Sequence, residues 1–514
     1  MNTDTNNRLK PAVRRIRGAS RGRLVIAAFL AAFVVIAPAS AGPNTPPPPQ
    51  AADASMQLVT EGTGARAYWK AGFTGKGVDI AIIDSGVAPV EGLSAPGKVI
   101  LGPDLSFESQ DPSTRYIDTN GHGSHLAAII AGRDSTATGD YANDKTSFLG
   151  MAPDARLVSL KVADARGNTD VSQVIAAINW VVQHKNDNGL NIRVLTIAFG
   201  TDSAAGWQHD PLVFAAEQAW KQGIFVVVSA GNDGPNARQI PTLSNLASSP
   251  NLMVMGASDM LGTPSYSDDV VPPFSSGGNS SRWVDLVAPG THIVSLAVPG
   301  SSVADTYSTT GAVGGRFFRG SGTSQAAAVA SGAAALVIQE RPDITPSQLK
   351  NLLKTRAQLL THESMSVQGA GGLTLLRLSG FRTPRENAGT NVNWSDGLAT
   401  LESSRGSHHL SHNGITLAGE LDIFAARFDS GAMAAIGATA SSWSGGMWNA
   451  NQWTASSWSD YAWASSSWST SSWSASSWSS SSWSASSWSA SSWSASSWSA
   501  SSWSASSWSS ASWN

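Results

Sequence analysis

Arg319-Gly320-Ser321-Gly322-Thr323-Ser324-Gln325-Ala326-Ala327 is the stretch on which the reading of this chain turns. Small residues crowd around one hydroxyl, and an alanine-rich apolar run from Ala326 to Ile338 follows, closed by Arg341-Pro342. Such a run has the composition of a helix buried on most sides and stopped by proline. Ser324 then stands at a helix N-terminus, where free backbone N–H groups and the positive dipole end favour negative charge. A hydroxyl in that place can attack a carbonyl while backbone donors stabilise the oxyanion that forms. Most bare Gly-Thr-Ser triplets are only turns or caps, so partners elsewhere in the chain must decide.

Outward from this stretch, segments between about Leu58 and Leu378 alternate regularly. Val78–Ile83, Leu157–Val162, Val194–Ile197 and Ile224–Val228 are short β-branched runs that read as buried strands. Between them, Val171, Val174, Ile175, Ile178 and Val181 recur at helical spacing, as do Leu212, Ala215, Ala219 and Trp220. Near-continuous apolar strands alternating with helices predict an α/β fold, a mostly parallel sheet flanked by helices on both faces. Sites in such sheets gather at the carboxyl ends of the strands. Asp84 closes the first run, in Ile82-Ile83-Asp84-Ser85-Gly86, and Asn232 follows the fourth, in Ala230-Gly231-Asn232-Asp233-Gly234-Pro235. His122 lies in Asp118-Thr119-Asn120-Gly121-His122-Gly123-Ser124-His125, ahead of an apolar run. Taken singly, the Asp is a turn former, the Asn ordinary turn chemistry and the His structural, as His125 is read to be. Their joint occurrence at strand and helix ends of one domain is not accounted for so easily.

With these residues in place the chain resembles the subtilisin-like serine protease (subtilase) family. That family orders its triad Asp, His, Ser. The matching motifs are Ile-Ile-Asp84-Ser-Gly, Gly-His122-Gly-Ser-His, Ala230-Gly231-Asn232 and Gly-Thr-Ser324, with Gly150-Met151-Ala152-Pro153 and Val287-Ala288-Pro289-Gly290 alongside. The resemblance implies Ser324 as nucleophile, His122 as general base and then acid, and Asp84 as its orienting carboxylate. It also implies the Asn232 amide and the Ser324 backbone N–H as oxyanion donors. By the same analogy Ala198-Phe199-Gly200 and Ala230-Gly231 flank the substrate, which pairs with these edges by strand addition. Departures exist: Gln325-Ala326-Ala327-Ala328 follows the serine where the family has Met-Ala-x-Pro, and Ser124 and Ala198 replace a usual threonine and serine. Gln325 needs a polar partner or solvent. These departures motivate the alternative of a catalytically impaired surface-binding or adhesion protein.

The remaining chain bounds the setting. Cysteine is absent from the 514 residues, so neither disulfides nor thiolate zinc sites staple the fold, and a net charge of -3 exerts no general pull on nucleic acid. Arginines from Arg14 to Arg23, the apolar run Leu24–Ile36 and Ala37-Pro38-Ala39-Ser40-Ala41 have the pattern of a cleaved secretory signal over residues 1–41. The chain is therefore expected outside the cell, secreted or at the cell surface, with no stable membrane span after processing. A proline-rich linker over 42–57 leads to a peptidase domain at 58–380 and a linker or small accessory segment at 381–442, where Ile415–Phe424 suggests one or two short strands. No cofactor is required by this reading. The insertion Arg133–Phe148 offers Asp134, Asp140, Asn143 and Asp144, hard oxygen ligands of the type calcium selects, without a liganding spacing. From 443 to 514, tryptophan recurs every five residues, fifteen times, in a Ser-Ser-Trp-Ser-Ala consensus. A period of five makes no apolar face on a helix, and on one continuous strand it alternates faces. The tail is expected to stand apart from the protease, as a serine-rich spacer or a solenoid, and to touch cell-wall or polysaccharide surfaces. Polypeptides are the expected substrates.

Overall fold

The computed structural model describes residues 53–452 apart from 235–242, 280, 379, 386–392, 413–414, 425 and 445. The predicted secretory segment, most of the proline-rich linker and thirteen of the fifteen repeat tryptophans lie outside the described residues.

Seven strands form the central sheet: β1 (Asp79–Asp84), β2 (Val99–Asp104), β3 (Arg156–Lys161), β4 (Ile192–Ile197), β5 (Phe225–Ser229), β6 (Met253–Ser258) and β7 (Leu286–Pro289). Their spatial order is β7-β6-β5-β4-β1-β3-β2, and every pairing is parallel. Every residue of β1 is buried, as a strand covered on both faces requires. The connections run from β1 outward to β2 and back to β3 on one side, then cross to β4 on the other. The reversal of winding thus falls around β1, and the crevice that such a reversal opens lies at the carboxyl ends of these strands. Asp84 is the last residue of β1.

Helices cover both faces. On one, α2 (Val171–His184) and α3 (Pro211–Lys221) pack on each other; on the other, α1 (His122–Ala131) packs on α4 (Thr323–Glu340). Asp170 and Gln173 close a capping box at the start of α2, and Asp210 caps α3 ahead of Pro211. Every residue of α4 from Thr323 to Ile338 is buried, the outcome its alanine-rich composition predicts. Gly332 permits the close approach: a Cβ there would lie 2.4 Å from the Met151 Cβ and 2.8 Å from the Ile130 carbonyl oxygen.

Two boundaries differ from the expectation. Residues 54–57 are not linker, because Ala54–Ser55 pairs with Ile293–Val294 in a second, four-stranded sheet, and a helix begins at Met56. The segment after 381 also runs past the expected boundary at 442. Residues 393–452 lie against α2 and α3 through α5 (Leu401–Arg405), α6 (Ser430–Ala438) and a three-stranded meander of β8 (Trp443–Ser444), β9 (Met447–Trp448) and β10 (Asn451–Gln452). Within 415–424 the only strand is Ile415–Thr416, paired with Ser411–His412. The first two repeat tryptophans belong to this body. Trp443 is buried, its indole N–H donates to the Ala176 carbonyl at 2.9 Å, and its backbone exchanges two hydrogen bonds with the Gln183 side chain. Trp448 is 1% exposed and its ring lies 6.0 Å from that of Phe428. The expectation of alternating faces assumed one continuous strand. Here the chain reverses between the two tryptophans, which stand directly opposite each other and so share a face. At the next reversal Asn449 and Ala450 take φ of 49° and 59°, the left-handed pair of a tight hairpin turn.

Candidate active site

β1 delivers the Asp84 carboxylate, 1% exposed, to the crevice, and α1 opens with His122, 2% exposed. The imidazole Nδ1 lies 2.8 Å from Asp84 Oδ1 and 3.0 Å from Oδ2. Such a contact requires α1 to start almost on top of the turn after β1. Gly123 is the reason it can, since a Cβ there would sit 2.2 Å from the Gly86 carbonyl oxygen. Gly121, with φ of 103°, turns the chain into the helix.

A second buried carboxylate holds this turn together. Asp118 Oδ1 accepts from the Ser85 hydroxyl at 2.8 Å, the Gly121 N–H at 2.7 Å and the Asn120 N–H at 3.2 Å, while Oδ2 accepts from the Ser124 N–H at 2.7 Å. The Ser85 Oγ in turn accepts from the Gly123 N–H at 2.9 Å. Asp118 and Ser85 thus tie the aspartate strand to the histidine helix. The sequence reading passed over both as motif flanks; an acidic residue four before the histidine, in a glycine-rich run, was the available signal.

The environment biases the imidazole. Burial pushes the His122 pKa down, but the charge and hydrogen bond of Asp84, with the charge of Asp118, outweigh it, and the pKa ends above the ordinary histidine value. His125, one turn on, is held at about 3 by burial and by the charge of His122, so it stays neutral; its Nε2 meets the Phe318 carbonyl at 3.2 Å.

Ser324 comes from a separate element. The strand Phe317–Gly320 leads into Ser321-Gly322, where the Gly322 N–H donates to the Gly290 carbonyl at 2.8 Å, and α4 starts at Thr323 with Ser324 2% exposed. Asn232, beyond the end of β5, is fixed by this helix start: its Oδ1 accepts from the Thr323 N–H at 2.9 Å and lies 3.1 Å from the Thr323 hydroxyl. A backbone N–H can only donate, so the amide oxygen must face Thr323 and the NH2 group points elsewhere. The Gly231 N–H donates to Thr323 Oγ1 at 3.2 Å, so Thr323 grips both residues. It was not singled out from the sequence.

The expected substrate-flanking residues fall at neighbouring strand ends, Ala198-Phe199-Gly200 after β4 and Ala230-Gly231 after β5. The side chains of Ala198, Phe199 and Ala230 are buried, which leaves backbone as what these residues can present. Gly200 lies hard against Ser244, 2.3 Å from where a Cβ would be. Gln325 is fully buried within α4.

The calcium expectation fares poorly. Asp134 is engaged by Arg316 and by the Phe148 N–H, Asp140 by Asn143, and Asp144 by the backbone of Thr146 and Ser147. Among the described residues no three His, Cys, Asp or Glu side chains converge as metal ligands. The four residues of the insertion do not fit a shared ion.

An all-parallel sheet with a buried carboxylate–imidazole pair at its point of reversal, and a serine opening the central helix, has the architecture of a serine peptidase. The chain belongs to the subtilase family, whose profile matches residues 75–381, and it is a serine endopeptidase. It is 34% identical over 328 residues to serine protease AprX of Bacillus subtilis (strain 168), spanning 62% of this chain and 70% of that one. Subtilisin Savinase of Lederbergia lenta is 31% identical over 307 residues, 60% of this chain and 92% of the relative. A cold-adapted subtilisin-like serine proteinase of known structure is 27% identical and aligns with 59% of this chain and 88% of its own, at a TM-score of 0.42.

Proposed function

We propose that the chain is a secreted endopeptidase that cleaves polypeptides through an acyl-enzyme formed on Ser324. His122 takes the proton from Ser324 Oγ as the Oγ–C bond forms, then gives it to the leaving amine as the C–N bond breaks; water repeats the exchange to release the acid. Asp84 holds the imidazole in the tautomer with Nδ1 protonated and stabilises its charged form. The Asn232 amide and the Ser324 backbone N–H receive the oxyanion. One observation carries this reading: the buried Asp84–His122 contact at 2.8 Å, with Asn232 pinned by its oxygen to the residue preceding Ser324.

Labelling with a fluorophosphonate tests it. The chain without residues 1–41 should label at one serine, and Ser324→Ala should lose both labelling and peptide hydrolysis while melting normally. Labelling of the Ala variant at the parent level would refute the assignment.

The export pattern of residues 1–41 supports secretion, and among the described residues no helix is long and apolar enough to cross a membrane. The regularly spaced indoles after Gln452 are proposed to bind a repetitive wall polymer, where many weak stacking contacts add to appreciable avidity. A chain ending at Gln452 should keep peptide hydrolysis and lose retention on insoluble polysaccharide. Equal retention of both chains would remove the tail's proposed role.

A further inference from the structure

The family match ends at residue 381, yet residues 393–452 reach back to the catalytic edge. At their centre is Arg405, 0% exposed. Its Nε donates to Asp170 Oδ2 at 2.7 Å and one terminal nitrogen lies 3.3 Å from Oδ1; the guanidinium also donates to the Gly419 carbonyl at 2.7 Å and to the Leu421 carbonyl. Burying a guanidinium is costly unless its donors are met, and a planar fork meets them only at fixed angles. The pair therefore sets the distance between α5 and the start of α2.

Asp170 is not a remote partner. It caps α2 directly after the loop that leaves β3, and in that loop the Ala165 carbonyl accepts from the Asn120 side chain at 3.0 Å. The Asn120 Oδ1 accepts from the His122 N–H at 3.2 Å. On the other side of β1, the same short helix holds the loop after β4. The Ser404 carbonyl accepts from the Thr201 hydroxyl at 2.5 Å, and the Ser403 carbonyl accepts from the Ala204 N–H and the Ser203 hydroxyl, both at 2.9 Å. Thr201 follows Gly200, the last of the residues proposed to flank substrate. At the end of α5, Gly406 turns with φ of 63°, and Ser407 donates to Asp202 with both its N–H and its hydroxyl, at 2.8 and 2.6 Å. A Cβ on Gly406 would lie 2.2 Å from Asp202 Oδ1, so the two loops meet with no slack.

We propose that residues 393–452 are a positioning clamp for the catalytic edge, with Arg405 its principal positioning residue. α5 spans the loops after β3 and β4, the two strands flanking the strand that ends at Asp84. It fixes the separation of these two loops, of which the one after β4 begins at the strand end expected to flank substrate. The clamp rests on the endopeptidase reading above. It acts on substrates long enough to touch both loops, and it leaves the intrinsic reactivity of the serine alone.

The test uses the full chain with Arg405→Met, which removes the charge at similar volume, Arg405→Lys, which keeps the charge without the fork, and Thr201→Val, which removes one loop bond. Three quantities are compared: fluorophosphonate titration, hydrolysis of a single-residue ester, and kcat and KM on an eight-residue peptide cut near its middle. Displacing a bound substrate by about an ångström costs up to about a hundredfold, so Arg405→Met should lower kcat/KM on the peptide by about ten- to a hundredfold. Titration and ester hydrolysis should stay at the parent level, because the reacting centre is not displaced. Arg405→Lys should recover part of the loss and Thr201→Val should show a smaller one. Equal losses on ester and peptide, or undiminished peptide cleavage in all three variants, would overturn the clamp. Should Arg405→Met not fold, Thr201→Val and Ser407→Ala decide by the same comparison. A parent chain that fails to titrate would instead refute the catalytic reading.

Discussion

Replacing Asp118 by asparagine isolates what the second buried carboxylate does. Asparagine is nearly isosteric, and its amide oxygen can keep the three donors now on Oδ1, those of Ser85, Asn120 and Gly121. At the other position an NH2 group would face the Ser124 N–H, which now donates at 2.7 Å. One charge-assisted bond is lost and two donors are opposed, a cost of about 1.5–3 kcal/mol. Part is returned, because burial pushes the Asp118 pKa up against the hydrogen bonds that lower it, and the neutral amide escapes that penalty. The net destabilisation should therefore fall in the lower half of that range. The second effect concerns His122, whose pKa Asp118 helps to raise. In its proposed role as general base His122 must be neutral, so a raised pKa places the acid limb of kcat/KM above the ordinary histidine value, and activity falls as pH drops through it. Removing the negative charge makes the imidazolium less favourable, so in Asp118→Asn the limb must move to lower pH. The assay is kcat/KM on a soluble peptide across the acid and neutral range, beside urea unfolding of both chains. A limb that stays in place or moves up would refute the electrostatic argument, and unchanged stability would refute the structural one.

Other outcomes follow from the same geometry. Asn232→Ala should lower kcat by about two to three orders of magnitude with less effect on KM, the known effect of this substitution in a subtilisin rather than a value worked from these distances; a raised KM at normal kcat would contradict the oxyanion role. Trp443→Ala opens a cavity beside α2 and should cost about 3–5 kcal/mol in chemical unfolding; a loss below about 1 kcal/mol would mean that the meander does not belong to the folded body. Asp233 is an exposed acid directly after Asn232. Its replacement by asparagine should remove a preference for basic residues worth roughly 0–1 kcal/mol, read from cleavage profiles at low salt; identical profiles would dispose of it.

What could be read from residues alone was what repeats locally. The strand runs and the helical spacing of Val171–Val181 gave the parallel sheet, because burial on two faces leaves a continuous apolar signature. Asp84, His122, Asn232 and Ser324 stood out because each sits where such an element ends. Asp118 was in plain view but looked like a turn residue, since the four donors it collects come from residues that are individually ordinary. Arg405 could not be found this way. Its partner is 235 residues away, and no periodicity announces a pairing of that span. The repeat tryptophans misled for a different reason. A five-residue period was weighed on a helix, on a strand and as a solenoid, none of which includes the hairpin by which Trp443 and Trp448 share a face as the chain turns back between them.

The position of the clamp along the polypeptide carries its own consequence. Made from the amino end, the chain has Asp84, His122 and Ser324 well before Arg405 exists. On the roles proposed for these residues, a nascent molecule can thus bring its reacting groups together while the loops on either side still lack their brace. On the clamp reading it is then a poor cutter of extended polypeptide, including its own unfolded copies, until residues 393–452 have arrived. The order of synthesis itself becomes a safeguard, delaying full activity until the clamp has been made.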